Sequence, residues 1–274
     1  MTSSNSKTLG ALLLISLAVV LGIAAAVLPA IPQPASYHDF ADKRGWLGIA
    51  NFGDVTSNAG FALVGACGLW ALLRKQRRIC FLDSRERWPY FIVFLGLLLT
   101  AAGSSYYHLA PNNARLVWDR LPMTAVFMGL VSAVIAERIN VRWGIALLPL
   151  LLAIGAASVF QWRASEQHGQ GDLRFYAAVQ LYSALVVVLA LLLKARYTRG
   201  SDLAVVAAFY VLAKLAEIFD KEIFSYDRWI SGHTIKHIAA AAGSYWILRM
   251  LEKRTPLEDD APTRRSPYEE TIAK

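Results

Sequence analysis

Cysteine and charge are both scarce in this chain. Only two of its 274 residues are cysteine, Cys67 in an apolar run and Cys80 in a basic loop. Two cysteines so differently placed do not indicate a disulfide framework, a cysteine-based zinc site or a thiol nucleophile. Charged residues make up 18% of the sequence, below the roughly 25% of an average soluble domain. Any chemistry must therefore depend on other residues in a mostly apolar chain.

Long apolar runs dominate what is present. Hydrophobic residues make up 56% of the sequence, and the mean hydropathy is +0.40. Several runs have about 20 residues, the length that a helix needs to cross a bilayer. The eight candidates lie at approximately 9–29, 54–73, 88–108, 119–137, 142–161, 174–194, 202–219 and 229–250. The sequence therefore predicts an all-α integral membrane protein with several spans.

The first run has two interpretations. It follows a short polar start with one lysine and closes on AAAVLPA, as either a retained helix or a cleaved signal peptide would. We predict a retained helix, because the apolar stretch is long for a signal peptide. Both interpretations place residue 31 on the outer side.

The distribution of basic residues predicts an orientation. A net charge of +8 could indicate a nucleic-acid partner, but short loops rich in lysine and arginine also mark the cytoplasmic side of membrane proteins. With a cytoplasmic N-terminus, most of the 28 basic residues fall in cytoplasmic loops. We therefore expect residues 74–87 and the C-terminus to be cytoplasmic, and we expect no nucleic-acid partner. No protein partner is implied.

Polar residues that are costly in a membrane gather at one edge of the predicted spans. The stretch GSSYYHLAPNNARLVWDRLPM has Ser104 and His108 at the end of the third predicted helix and Asp119 at the start of the fourth. The motif SGHTIKH puts His233 and His237 in the first turns of the eighth helix. At the same outer level, NFGDVTSN supplies Asn51, Asp54, Ser57 and Asn58.

The histidines have the spacing of a metal site. His233 and His237 are four residues apart, so a helix projects both from one face, while His108 arrives from another helix. Three imidazoles leave one position of a zinc ion open, as in catalytic sites, and they suit other transition metals as well. Asp119 would orient or deprotonate a water molecule, and the Ser104 hydroxyl would donate to a developing oxyanion.

Plainer interpretations stay open for these residues. A histidine at a helix end often caps the helix or lies at the membrane interface, and an HxxxH pair alone is a weak sign of a metal. Haem ligation by two histidines would leave the third without a role. A further polar group has the spacing of interhelical ion pairs rather than of catalytic residues. Its members are Lys214, Glu217, Asp220 and Lys236.

The same motifs resemble those of the alkaline ceramidases. A serine four residues before a histidine, an aspartate eleven residues after it and a following Leu-Pro-Met are similar to that family's pattern. GHTIKH resembles the family's C-terminal HxxxH, and NFGDVTSNAGF resembles its first core helix. The resemblance spans roughly residues 38–250.

The resemblance implies a seven-helix core, here with one additional N-terminal helix. The wider superfamily of membrane hydrolases also includes the progestin and adiponectin receptors and the Per1-like proteins. On this basis the chain divides into an N-terminal helix over 1–30, a ceramidase-like domain over 31–251 and a polar cytoplasmic tail over 252–274.

The resemblance also implies roles for particular residues. The implied zinc ligands are His108, His233 and His237. Asp119 and Ser104 would assist attack on the ceramide amide, and Ser57 matches a further family serine. Animal members also hold calcium before the first core helix. The corresponding stretch here lacks the family's run of glutamates and contains Lys43 and Arg44. The oxygen ligands it offers to calcium are Asp39, Asp42, Asn51 and Asp54.

These features predict a zinc-dependent amidase that cleaves the N-acyl bond of ceramide-like lipids to give a sphingoid base and a fatty acid. The lipid would enter from the membrane and place its amide at the outer level, so that the metal site faces the periplasm or lumen. The same groups would suit other acyl lipids. The alternative is a lipid-binding receptor or scaffold on the same fold.

Overall fold

The structure is a computed structural model that describes residues 3–74 and 79–257, and within these ranges it is helical without a β-strand. The prediction of an all-α protein is confirmed. The α-helices in these ranges are α1 (Ser3–Val27), α2 (Phe52–Thr56), α3 (Ala59–Leu73), α4 (Arg87–Leu109), α5 (Asn113–Val134), α6 (Val141–Gln167), α7 (Arg174–Leu189), α8 (Asp202–Ile218), α9 (Asp220–Asp227) and α10 (Gly232–Lys253). A π-helical turn (Ile135–Ile139) extends α5.

Five helical segments of the described chain are long and apolar enough to cross a membrane, which indicates a multi-pass membrane protein. They are Asn5–Val27, Phe52–Leu73, Ser84–Leu109, Asn113–Ile139 and Val141–Gln167. The sequence predicts eight spans, so three of them do not meet this requirement of length and hydropathy in the described chain. α7 and α8 have 16 and 17 residues, about 25 Å at 1.5 Å per residue, against a bilayer core of about 30 Å. α10 has 22 residues, but two histidines and a lysine in its first turns make it less apolar.

α5 begins earlier than the sequence predicts. We expected a start near residue 119, but the first residue is Asn113. The side chain of Asn112 caps the helix by accepting a hydrogen bond from the backbone N–H of Arg115 (3.0 Å). The connection from α4 is therefore only residues 110–112, and Asp119 lies in the second turn of α5 instead of at its start.

Two glycines let the helices that carry the polar residues approach closely. A Cβ added at Gly103 would lie 1.9 Å from the carbonyl oxygen of Trp118, so glycine is required for α4 to lie this near α5 beside Ser104. A Cβ at Gly232 would lie 2.2 Å from the carbonyl oxygen of Ala216, which brings the start of α10 against the end of α8.

The bundle is apolar in the middle and polar at both ends. α4 packs on α3 and α5, and α10 packs on α8, around buried side chains such as Val93, Phe94, Val131 and Leu251. One end, named the outer end here, contains the connections 28–51, 110–112, 168–173 and 219–231. At the opposite end, Glu86 accepts hydrogen bonds from Arg196 (2.8 Å) and Tyr197.

The folded chain continues past the predicted domain limit at residue 251. α10 runs to Lys253, and Arg254 is 3% exposed and pairs with Glu137. The backbone N–H of Thr198 donates to the carbonyl of Thr255 (2.8 Å). Residues 254–257 therefore belong to the bundle, and residues 258–274 of the predicted tail lie outside the described residues.

Gly103→Ala should destabilise the protein by about 1–3 kcal/mol, because a methyl group there overpacks the α4–α5 contact. Thermal unfolding of the purified protein in detergent measures this as a lowered melting temperature. Gly22→Ala in α1 is the matched control, since a Cβ there meets nothing within 4 Å. Equal melting temperatures for the two variants would contradict the close approach of α4 and α5.

Candidate metal centre

Three histidines meet at the outer end of the bundle. His108 lies in the last turn of α4, and His233 and His237 lie in the first turns of α10. Their exposed fractions are 1%, 5% and 4%. One candidate ligand atom from each lies within 4.8 Å of the other two. The structure therefore brings together the three histidines that the sequence singled out.

The donor set fits a tetrahedral transition-metal ion. The Nε2 atoms of His108 and His233 are 3.2 Å apart. Two nitrogens bound to one zinc ion at about 2.0–2.1 Å in tetrahedral geometry lie about 3.3 Å apart. The three ring centroids are separated by 4.7, 5.0 and 4.8 Å. Three imidazoles without a thiolate suit zinc, as well as other transition metals that imidazole binds.

Ser57 fixes the orientation of one imidazole. Its hydroxyl lies 2.8 Å from Nδ1 of His237 and donates to the backbone carbonyl of Asp54 (3.1 Å). In the tautomer that carries its proton on Nδ1, His237 donates to the Ser57 oxygen, and its Nε2 lone pair is left for a metal. This contact makes Ser57 a positioning residue for a candidate ligand.

A buried carboxylate holds the start of α10. Asp54 is fully buried, and its Oδ1 accepts hydrogen bonds from the hydroxyls of Ser231 (3.1 Å) and Thr234 (2.8 Å). Ser231 also caps α10 by accepting from the backbone N–H of Thr234 (3.0 Å). Asp54 thus fixes the turn that carries His233. The sequence placed Asp54 at this level but gave no sign of this contact.

The segment that precedes α2 covers the histidines. The ring of Phe40 lies 4.7 Å from that of His108 and 4.4 Å from that of His233, measured between centroids. Asp220 holds the segment in place, because it accepts from the backbone N–H groups of Ala41 (2.9 Å) and His233 (2.8 Å). This apolar cover limits access of water from the outer end. Sequence reasoning missed Phe40, because an aromatic residue in a loop carries no pattern.

Ser104 and Asp119 lie on the inner side of the histidines. Both are buried, with exposed fractions of 2% and 8%, and the Ser104 side chain interacts with the Asp119 carboxylate. Together with His237 they line a common cavity. The structure thus places these three residues around one cavity, and their roles stay a prediction from the sequence.

The cavity extends from this polar end into the apolar middle of the bundle. Its volume is about 330 Å³, and its walls come from α3, α4, α5, α7, α8 and α10. Asp119 and Leu130 both line it, and about 16 Å of helix axis separates them at 1.5 Å per residue. Val206 and Ile247 line the same apolar part. The shape and polarity match one polar group joined to a hydrocarbon chain.

The predicted ion pairs are present at the rim of this cavity. Glu217 binds Lys214 (2.5 Å) through one carboxylate oxygen and Lys236 (2.6 Å) through the other. Asp220, which was grouped with them, instead accepts the backbone hydrogen bonds described above. Interhelical pairing between α8 and α10 is therefore present between Glu217 and Lys236, whereas Lys214 pairs with Glu217 within α8.

The acidic residues of the outer connection already have cationic partners. Side-chain hydrogen bonds from Lys221 and Lys43 lower the pKa of Asp39 to about 2. Burial acts to raise the pKa of Asp42, but hydrogen bonds from the side chain and backbone of Arg44 outweigh it and lower the pKa.

The predicted calcium ligands are not gathered into one cluster in the described chain. The amide of Asn51 donates to the backbone carbonyl of His108 (2.7 Å), and the cluster of metal-ligating side chains found in the described residues is the histidine set. The arrangement of Asp39, Asp42 and Asn51 gives calcium binding no support, and calcium stays a prediction from the resemblance.

Comparison of this chain with models of known protein families and with curated proteins finds no match. The likeness to the alkaline ceramidases therefore rests on the motifs alone and stays a prediction.

His237→Ala should abolish zinc binding, because two imidazoles remain. Ser57→Ala should keep the fold but weaken zinc binding about 10–100-fold, since it removes the partner that orients His237. Competition with a chelator of known zinc affinity measures both effects. Thr56→Ala is the control, because Thr56 is exposed and its hydroxyl bonds to its own helix. Wild-type zinc affinity in Ser57→Ala would show that Ser57 does not orient a ligand.

Proposed function

We propose that this protein is a zinc-dependent membrane amidase that hydrolyses the N-acyl bond of ceramide-like lipids to a sphingoid base and a fatty acid. The observation that carries the proposal is the joint placement of Ser104, Asp119 and His237 at the polar end of an apolar cavity, with His108 and His233 gathered beside His237. A metal with a carboxylate beside it is suited to hydrolysis, and the cavity is suited to an acyl chain. The choice of a ceramide-like amide rests on the motif resemblance.

The proposal includes the arrangement in the membrane. α3 to α8 and α10 would form the seven-helix core, with α2 at the start of its first helix and α1 as an additional helix. The opposite end carries basic residues such as Arg85, Arg138 and Arg196, which favours the cytoplasm for that end and the periplasm or lumen for the histidines. A membrane-impermeant reagent should therefore label a cysteine introduced at position 168 from the outer side.

The residues of the chain have defined tasks in this reaction. When bound, zinc would supply Lewis-acid activation. The Asp119 carboxylate would accept a proton from the attacking water as its oxygen bonds to the amide carbon, and would return that proton to the nitrogen as the carbon–nitrogen bond breaks. The Ser104 hydroxyl would donate to the oxygen that becomes negative. The second proton of the water passes from the new acid group to the amine, so the products are a fatty acid carboxylate and an ammonium ion.

Turnover of a lipid panel tests the function directly. Purified protein should release fatty acid from N-acyl sphingoid lipids more readily than from O-acyl lipids, and a chelator should stop the release until zinc is restored. Turnover that is unaffected by complete metal removal would contradict the mechanism. Lipid binding without any product, from protein with a full metal site, would identify a receptor or scaffold instead.

Asp119→Asn should separate catalysis from metal binding. The amide keeps the shape of the side chain, so zinc content should stay near one per protein, while the rate falls about 10²–10⁴-fold through loss of the base. Ser104→Ala should lower the rate about 10²–10³-fold through loss of an oxyanion donor. Metal analysis and initial rates give both quantities.

Two controls accompany these variants. Asp83→Asn changes a carboxylate at the opposite end, where Asp83 pairs with Arg85. Ser105→Ala changes the neighbouring hydroxyl, whose contact is the carbonyl of Val55 (3.3 Å). Loss of zinc from Asp119→Asn would make Asp119 a ligand, and an unchanged rate would make it a structural contact between helices.

A further inference from the structure

Lys236 lies between His233 and His237 in the sequence of α10, and its side chain extends to the ring of His233. Its Nζ is 2.6 Å from Oε1 of Glu217 and 3.5 Å from Nε2 of His233. The side chain is 17% exposed and lines the cavity together with Asp119. Its ammonium group therefore stands at the edge of the candidate metal centre, on the side where a substrate would lie.

The charges around the cavity do not cancel. Glu217 is one carboxylate shared by two cations, Lys214 and Lys236. Arg120 also lines the cavity, is 4% exposed, and has two buried nitrogens, Nε and Nη1, without a hydrogen-bond partner among the described residues. With Asp119 as the other carboxylate, the lining has three cations and two anions. The cavity thus carries positive charge before any metal is bound.

Lys236 has more hydrogen-bond donors than its contact with Glu217 uses. An ammonium group has three donors, and one of them is directed to Glu217. The contact with His233 Nε2 requires the lone pair that a metal would take, so metal binding would free a second donor. A bound metal dication would repel the ammonium group of Lys236, and an anionic atom between the two would offset that repulsion. The unused donors of Lys236 and the nearby metal position therefore define a place for a negatively charged oxygen.

We infer that Lys236 is an oxyanion-binding residue of this site and that Glu217 is the positioning residue that aims it. The inference rests on the proposed function and deepens it. As the water oxygen bonds to the amide carbon, the carbonyl π electron pair moves to the carbonyl oxygen, and Lys236 donates a hydrogen bond to that oxygen without losing its proton. When the pair returns and the carbon–nitrogen bond breaks, the same ammonium group binds the carboxylate product. The position bound by Lys236 therefore favours acyl compounds whose carbonyl oxygen becomes negatively charged during the reaction or stays negatively charged in the product.

Lys236→Met tests the inference in protein loaded with zinc. Removal of one charged donor to the oxyanion should lower kcat about 10²–10³-fold, with a much smaller change in KM, since the interaction is made in the transition state. The affinity for a long-chain alkylphosphonate, an anionic tetrahedral probe, should fall by a similar factor. Zinc affinity should be unchanged or higher, because a neighbouring positive charge is gone.

Three further variants complete the experiment. Lys214→Met removes the other cation bound to Glu217 and should leave phosphonate affinity within about tenfold of the wild type. Lys236→Arg keeps the charge and should retain more phosphonate affinity than Lys236→Met. Lys236→Gln keeps N–H donors but removes the charge, and it serves as the test variant if the methionine variant does not fold.

The outcomes separate this inference from the proposed function. Unchanged phosphonate affinity in Lys236→Met, or a loss of zinc that accounts for the lost rate, would overturn the oxyanion role and leave the hydrolase intact. Phosphonate binding that depends on Lys236 in a protein that hydrolyses no lipid would support the anion subsite and overturn the amidase.

Discussion

The burial of three imidazoles against one another is the constraint on which the outer end of this protein depends. Polar ring nitrogens inside an apolar bundle are costly unless each has a partner. His108 and His233 bring their Nε2 atoms within 3.2 Å, so a shared proton or a shared cation must lie at this point. The helix ends that carry these rings must therefore be held in place, and the surrounding contacts serve that purpose.

The hydrogen bonds around the first turn of α10 show how this is achieved. Asp54 fixes Ser231 and Thr234, and Asp220 accepts from the backbone N–H of His233. Negative groups at a helix N-terminus also interact favourably with the helix dipole. Since Asp220 also binds the backbone of the covering segment at Ala41, the cover over the rings and the start of the helix are fixed by one carboxylate.

The division of polar groups between the two ends matches what a membrane demands. At the opposite end, Glu137 pairs with Arg254 and accepts a hydrogen bond from Tyr90, and Glu86 pairs with Arg196, so both of these buried carboxylates have a cationic partner. At the outer end the cavity keeps an excess of cations next to Asp119. A compensated network stabilises a bundle, whereas an uncompensated charge at a cavity wall is useful for binding an anion.

The sequence by itself determined the all-α class, the several long apolar helices and the outer level of the histidines, because hydrophobic length and i, i+4 spacing are local properties. It located His108, His233 and His237 as a set. Tertiary structure decided two features that the local patterns did not show. α5 starts at Asn113 because of the Asn112 cap, and Phe40 covers the histidines because Asp220, far away in the chain, binds the backbone of Ala41. Tertiary structure also decided the direction of Lys236. The i, i+3 spacing already places Lys236 beside His233 on one face of α10, but only the packing of α8 against α10 brings its ammonium group to Glu217 at the cavity, because contacts between helices depend on residues far apart in the chain.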